Sequence, residues 1–199
     1  NYRWIPELTY PMAHKFYEFL NLKSNLNVLE YGCAHGYLVK CLNDYGINTY
    51  GVDISDFAIK NCLLDVSSKV TVIKKNNLKE ALKKLKFTKD YFDWVVSKDV
   101  FEHIPQKDLK QILKQLTKLT KNLFVIVPLG DKSKYRIKQY HLDRTHVIIK
   151  NENWWSELFE NNGFKVKKML YKVDGIKDKW FKINKRGNGF FVLKSKIKK

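Results

Sequence analysis

Asn27-Val28-Leu29-Glu30-Tyr31-Gly32-Cys33-Ala34-His35-Gly36 is the stretch whose reading decides the fold. Asn27–Tyr31 is a short apolar run that reads as a β-strand, and a glycine turn ends it. Gly32 and Gly36 let the backbone approach a ligand closely and put amides at the start of the next helix. The spacing is not the G-x-G-x-x-G of a dinucleotide site. Outward from this turn, Tyr37–Tyr45 predicts a helix, and Ile47–Val52 a second strand that ends at Asp53. Ser55 caps a helix over roughly Asp56–Asp65. Val70–Lys74 reads as a strand, Leu78–Leu85 as a lysine-rich helix and Phe92–Ser97 as the fourth strand. Gln106–Thr120 is an amphipathic helix with Leu109, Ile112, Leu113, Leu116 and Leu119 at helical spacing. Leu123–Val127 is a fifth strand, stopped by Pro128. Upstream, Pro11–Leu22 predicts a helix with Pro11 near its first turn. Downstream come a polar loop from Leu129 to about Lys150, a helix over Asn153–Asn161 and a strand over Phe164–Val173. A basic loop and a last strand at about Gly189–Lys196 complete the chain.

Alternating strands and helices, with early strands apolar throughout, predict an α/β fold in three layers, α/β/α, around a mostly parallel seven-stranded sheet. The last two strands are joined by a loop, so an antiparallel C-terminal strand is expected. In such sheets a ligand sits at the carboxyl ends of the strands, at the switch point. No repeat or linker divides the chain, so residues 1–199 are expected to form a single domain.

Composition narrows the class. The 199 residues are 44% hydrophobic, which suits a packed core. No apolar run reaches the roughly 18–20 residues that span a bilayer, so no membrane partner is expected. Asn1–Pro11 lacks an apolar leader and the chain begins without Met, so a cytoplasmic location and an origin in a longer protein are expected. Cys33, Cys41 and Cys62 show no CxxC spacing, which excludes zinc and redox motifs of that kind and leaves buried thiols as the plain reading. The net charge is +18, with 38 Lys+Arg against 20 Asp+Glu. Residues 165–199 hold 13 basic and two acidic residues, or +11 of that total. A nucleic acid bound through the basic C-terminal region is the partner such a charge suggests. Yet only four basic residues are Arg, the side chain favoured for bidentate phosphate contacts, and lysine usage of this kind also follows from an AT-rich genome.

The ordered set of E-Y-G-C-A-H-G after the first strand, Asp53 after the second, and D-W-V-V-S with E-H-I around the fourth resembles the class I S-adenosylmethionine-dependent methyltransferases, small single-domain enzymes with a Rossmann-like fold and an E-x-G-x-G-x-G motif. Ala34 stands where the second glycine usually sits. The resemblance runs from about Pro11 to the C-terminus. It implies an N-terminal helix or lid at 1–26, a cofactor-binding half at 27–128, and an acceptor loop with C-terminal strands at 129–199. It implies S-adenosylmethionine as cofactor, with S-adenosylhomocysteine as product. Gly32, Cys33, Ala34 and Gly36 would flank the methionine part, and Glu30 would help hold its amino group. Asp53 would bind the ribose hydroxyls and Ile54 would pack on adenine. Asn76 or Asn77 would meet the adenine amino group, and Ser97 and Lys98 would lend backbone near the sulfonium. Apart from the resemblance, Tyr2, Trp4 and Tyr10 are aromatic residues before the first helix, placed to form a lid over the cofactor or to stack on a planar acceptor.

Methyl transfer is an in-line displacement that mainly needs alignment, and a hydroxyl acceptor also needs help in losing its proton. The candidates are His103, His141 and His146, with Asp143 orienting His146. The segment His141-Leu142-Asp143-Arg144-Thr145-His146, ahead of Trp154/Trp155, Leu158 and Gly163-Phe164, resembles a D-x-T-H segment of related small methyltransferases. No metal is the first expectation. The alternative set is Asp99, Glu102, His103 and His141, because D-x-x-E-H resembles the E-x-x-E-H of metal-using O-methyltransferases, and such a set suits Mg or Mn. Ser97-Lys98-Asp99-Val100 replaces the D/N-P-P-Y/F of DNA N-methyltransferases, and no Pro-Cys nucleophile exists for cytosine C5 chemistry.

The expected activity is methyl transfer to a small-molecule acceptor, a sugar or other metabolite hydroxyl. A metal-dependent RNA 2′-O-methyltransferase is the enzyme alternative, and a cofactor-binding subunit without turnover is the alternative from another class.

Overall fold

A computed structural model describes residues 3–74, 77–87 and 91–197. The chain divides into two compact units, the first ending at Val96 and the second starting at Ser97. The boundary falls inside a strand.

In the first unit α1 spans Pro6–Phe19. It starts earlier than the sequence reading proposed, because Pro6 can occupy the first turn without losing a hydrogen bond. The Ile5 carbonyl then accepts the Leu8 and Thr9 amides at 3.1 and 3.0 Å, and Pro11 lies within the helix. Next come β1 (Asn27–Tyr31), α2 (Tyr37–Asp44), β2 (Asn48–Asp53), α3 (Asp56–Lys60), β3 (Val70–Val72), α4 (Leu78–Lys84) and β4 (Phe92–Lys98), which crosses the boundary. β1 is buried along its whole length. It pairs in parallel with β2 and β4, setting Glu30 between Gly51 and Val96. α3 is shorter than expected. After Lys60 the chain is drawn back to the glycine turn, where the Leu63 amide donates to the His35 carbonyl at 3.2 Å. A single 3-10 turn, Leu64–Val66, then leads to β3.

The second unit holds α5 (Gln106–Leu119), β5 (Thr120–Pro128), β6 (Gly130–Asp131), β7 (Lys134–Tyr135), α6 (Glu152–Asn161), β8 (Phe164–Leu170), α7 (Asp178–Ile183) and β9 (Asn188–Ser195). α5 buries Leu109, Ile112, Leu113 and Leu116 of the expected stripe, while Leu119 at its end is half-buried. The expected polar loop after β5 contains the β6–β7 hairpin, turned by Lys132 and Ser133 at φ 48 and 63, and then a 3-10 turn over Lys138–Leu142. The expected basic loop contains α7. β9 runs antiparallel to both β5 and β8.

The hydrogen-bonded strand order is β3-β2-β1-β4-β5-β9-β8. This is the expected mostly parallel seven-stranded sheet with β9 antiparallel, flanked by helices. Among the described residues no helix is long and apolar enough to cross a membrane. Cys33, Cys41 and Cys62 are free thiols, the first two buried.

Candidate active site

The first unit builds a cradle at the carboxyl ends of β1 and β2. Gly32, Ala34 and Gly36 adopt φ of 86, 47 and 76, the left-handed region where only glycine sits without strain. The Gly32 and Cys33 amides donate to the Val52 carbonyl at 2.7 and 3.1 Å. Asp53 ties the turn down from β2. Its Oδ2 accepts from the Ala34 amide and its Oδ1 from the Ser55 amide, both at 2.8 Å.

Cys33 turns its side chain into a core cluster with Val39, Val66 and Val70, so only its backbone faces the cradle, and burial pushes its thiol well above its usual pKa. Glu30 is buried one turn of the pleat earlier. Ile54 and Phe57, just past Asp53, are 76% and 72% exposed, which provides apolar surface for a planar base. Asn77 caps α4, its side chain accepting from the Glu80 amide at 3.2 Å. Asn76 and Tyr2 lie outside the described residues. Trp4 packs on Tyr37 and Tyr10, with ring centroids at 5.1 and 5.9 Å, and the Tyr37 ring in turn stacks on His35 at 5.6 Å.

This cradle fits S-adenosylmethionine. Its left-handed turn brings backbone to the ligand, and a Cβ at Gly36 would stand 3.0 Å from Val66. Asp53 keeps lone pairs to spare for a diol, since each oxygen can accept a second bond.

The second unit gathers the titratable residues that follow β4. Ser97 is buried and Lys98 ends the strand. Asp99 takes a left-handed φ of 55. Its carboxylate accepts from Lys98 at 2.8 Å and pairs with Lys177. Burial would raise the Asp99 pKa, but the two ammonium groups outweigh it and hold it well below the usual carboxylate range. Glu102 lies in a 3-10 turn, Phe101–His103, and is 1% exposed. Burial, and then the charge of Asp99, push it up to about 8.

The segment after His141 folds onto this turn, because the Val147 and Ile148 amides both donate to the Glu102 carbonyl, at 2.8 and 3.0 Å. His146 Nε2 therefore stands 3.8 Å from Asp143 and 4.0 Å from Glu102. Both Glu102 oxygens and His146 Nδ1 are buried without a hydrogen-bond partner among the described residues. His103 Nδ1 bonds Thr145 Oγ1 at 2.8 Å, and Thr145 Oγ1 donates to Asp143 at 2.5 Å. Burial, followed by the neighbouring His103, lowers the His146 pKa, which favours its neutral form. Bonds from the Thr145 hydroxyl and amide lower that of Asp143.

His103, Asp143 and His146 thus come together. His141 does not join them, for its Nε2 accepts the Tyr135 amide at 2.9 Å. The alternative metal set of Asp99, Glu102, His103 and His141 is not assembled either, since two lysines occupy Asp99 and a backbone amide occupies His141. Among the described residues the group with ligand spacing is instead Glu102, His103 and His146, whose donor atoms lie within 4.8 Å of one another. Tyr135, Tyr140, Lys177 and Trp180 also reach this region, and sequence reasoning singled out none of them. The available signal was the aromatic pair Trp180-Phe181 inside a lysine-rich run.

The family model described as a methyltransferase domain matches residues 5–168, and the chain belongs to that family. It is a class I S-adenosylmethionine-dependent methyltransferase. Solved structures share the fold at low identity. An S-adenosylmethionine-dependent methyltransferase from Archaeoglobus fulgidus is 19% identical, with 96% of this chain and 97% of that one covered and a TM-score of 0.67. A chain from the Haloferax volcanii complex of the Trm112 methyltransferase activator with a methyltransferase is 14% identical, with 97% and 92% covered and a TM-score of 0.72. The [4+2]-cyclase SpnF, 11% identical with 95% and 81% covered, has a TM-score of 0.66. One fold therefore serves different chemistries, and the acceptor must be argued from the site. No curated protein sequence matches the chain.

Proposed function

We propose that the chain methylates a hydroxyl on a small molecule. The observation that carries this reading is the placement of the buried His146 imidazole, its Nε2 3.8 Å from Asp143 and 4.0 Å from Glu102. The cofactor, when bound, supplies an electrophilic methyl group on a sulfonium. The rest falls to the protein. Gly32–Gly36 and Asp53 hold and orient the donor. His146 accepts the hydroxyl proton as the oxygen attacks, and the ionised Asp143 stabilises the imidazolium that forms. Burial of the Glu102 and His146 side chains keeps water, a competing nucleophile, away from the imidazole.

A second reading has its own observation. Glu102, His103 and His146 offer one carboxylate and two imidazoles at ligand spacing, a donor set that suits Mn or Zn. A cation there would activate the hydroxyl in place of a base, as the metal-dependent RNA 2′-O-methyltransferase alternative requires. The basic residues of 165–197 support the same alternative.

The test is transfer of tritiated methyl from labelled cofactor into a cell extract, fractionated by size, with and without nuclease and EDTA. Label in the small-molecule fraction that EDTA leaves unchanged is the expected result. Nuclease-sensitive label suppressed by EDTA would replace this reading with the RNA one.

A further inference from the structure

The connection between β8 and β9, residues 171–187, carries α7 and sends one lysine into the second unit. Lys177 stands at the head of α7 in the left-handed region, φ 61, which a non-glycine residue keeps only where its surroundings hold it. Its side chain is 5% exposed. A buried ammonium needs partners for three protons. Among the described residues its hydrogen-bond partner is Asp99, and the face of the Tyr140 ring lies 4.9 Å from Nζ.

Lys98 donates to the other oxygen of the same carboxylate. Two ammonium groups therefore share one carboxylate, although one would neutralise it, and the second adds like-charge repulsion. Glu102 hydrogen-bonds neither lysine, since neither of its oxygens has a hydrogen-bond partner among the described residues. At the bonded carboxylate two positive charges therefore meet one negative one. Solvent reaches this group, for the Lys98 and Asp99 side chains are 28% and 31% exposed. Beside it Tyr140 and Trp180 stack at 4.9 Å and 30°. α7 thus supplies both a cation and a ring to the same place.

We propose that the second unit selects a planar acceptor bearing an anionic group, a carboxylate or a phosphate, which Lys177 and Lys98 hold while the stacked Tyr140–Trp180 pair packs beside the ring. The proposal deepens the small-molecule reading above and rests on it only in calling this ligand the acceptor. Lys177 is a specificity-determining residue in this account, and α7 is the element that brings it.

Calorimetry on the full chain saturated with S-adenosylhomocysteine tests it, with 4-hydroxybenzoate, phenyl phosphate and the neutral 4-hydroxybenzamide as probes. One anion is expected to bind at least about tenfold more tightly than the amide, as a charge-assisted contact in a buried site allows. Which anion wins identifies the group that is read. Lys177→Gln should abolish the preference and Lys177→Arg restore it, with S-adenosylhomocysteine affinity unchanged in both. Equal binding of all three probes, no binding of any, or a preference that survives Lys177→Gln would overturn the proposal. Should Lys177→Gln fail to fold, the unmodified chain still decides the matter. Anion affinity must then fall with added salt while amide affinity stays constant. Anion binding without methylation of any small molecule in the extract would sink the small-molecule reading and leave the anion site standing. Methylation of neutral acceptors alone would do the reverse.

Discussion

Asp53 and Ala34 are joined by a 2.8 Å hydrogen bond from the Ala34 amide to Asp53 Oδ2, so the residue proposed to bind the ribose also fixes the turn proposed to meet the methionine. Asp53→Ala should remove both functions. We expect S-adenosylhomocysteine affinity to fall by more than about tenfold, the loss of one or two hydrogen bonds to a charged group. Unchanged calorimetric affinity in a folded variant would contradict the assignment of Asp53.

Gly51 lies under the same turn. A Cβ there would stand 2.7 Å from Cys33 Cβ and 2.9 Å from Val39 Cγ2, closer than packed atoms come. Gly51→Ala should cost about 1–3 kcal/mol by overpacking. It should also weaken cofactor binding, because Cys33 can move only by moving the turn. Denaturant unfolding and calorimetry check the two effects separately.

Glu102 predicts a pH dependence of stability. Its pKa is about 8 in the fold against about 4.5 in the unfolded chain, so across this window the folded state holds a proton that the unfolded state has lost. Stability then declines as pH rises from about 4.5 to 8, by up to about 1.4 kcal/mol per pH unit. Glu102→Gln cannot ionise, so its melting temperature should gain on that of the unsubstituted protein steadily from pH 5 to pH 8. Parallel curves would show that Glu102 is already ionised in the fold.

His146→Ala should slow methyl transfer roughly 10²–10⁴-fold if the imidazole is the general base, with cofactor affinity preserved. Because burial lowers its pKa, the neutral form should persist well below neutrality. The rate should therefore be level at pH 7–8 and fall only below the usual histidine range. A rate that keeps climbing through pH 8 would point to another base.

Glu152 opens α6 and binds three partners, accepting from Tyr171, from Arg186 at 2.6 Å and from Arg136 at 2.8 Å. Burial would raise its pKa, yet these bonds bring it down to about 2. Its contribution to stability is thus complete above about pH 4.5 and is lost as pH falls toward 2. Glu152→Gln should destabilise the protein by about 1–3 kcal/mol at pH 7 and by much less near pH 2, which thermal melts at both values would show.

The parts of the site legible in the sequence were those made by short-range geometry. A strand that ends in a glycine turn, followed by a second strand that ends in aspartate, puts Gly32 and Asp53 side by side in a parallel sheet whatever the rest of the chain does. The cluster of His103, Asp143 and His146 was less legible because it depends on a loop. His141 and His146 have the same chemistry and lie five residues apart. What separates them is that the Tyr135 amide takes His141, while the Glu102 carbonyl draws in Val147 and Ile148 and brings His146 with them. Lys177 was hidden for a related reason. Six-residue α7 shows too little periodicity to stand out of a basic run, and its contact with Asp99 spans most of the second unit's sequence.

β8 is the outermost strand on its side of the sheet, and three of its seven residues, Lys165, Lys167 and Lys168, are exposed lysines. An unpaired strand edge is a template on which another chain can add and aggregate. Lysines along that edge repel an identical strand, and the register irregularity between Val166 and Lys168 breaks the regular ladder such a strand would need. At the opposite border β3 is only three residues long, too short to seed pairing. Lys165, Lys167 and Lys168 thus place part of the chain's large positive charge where it opposes edge-to-edge pairing.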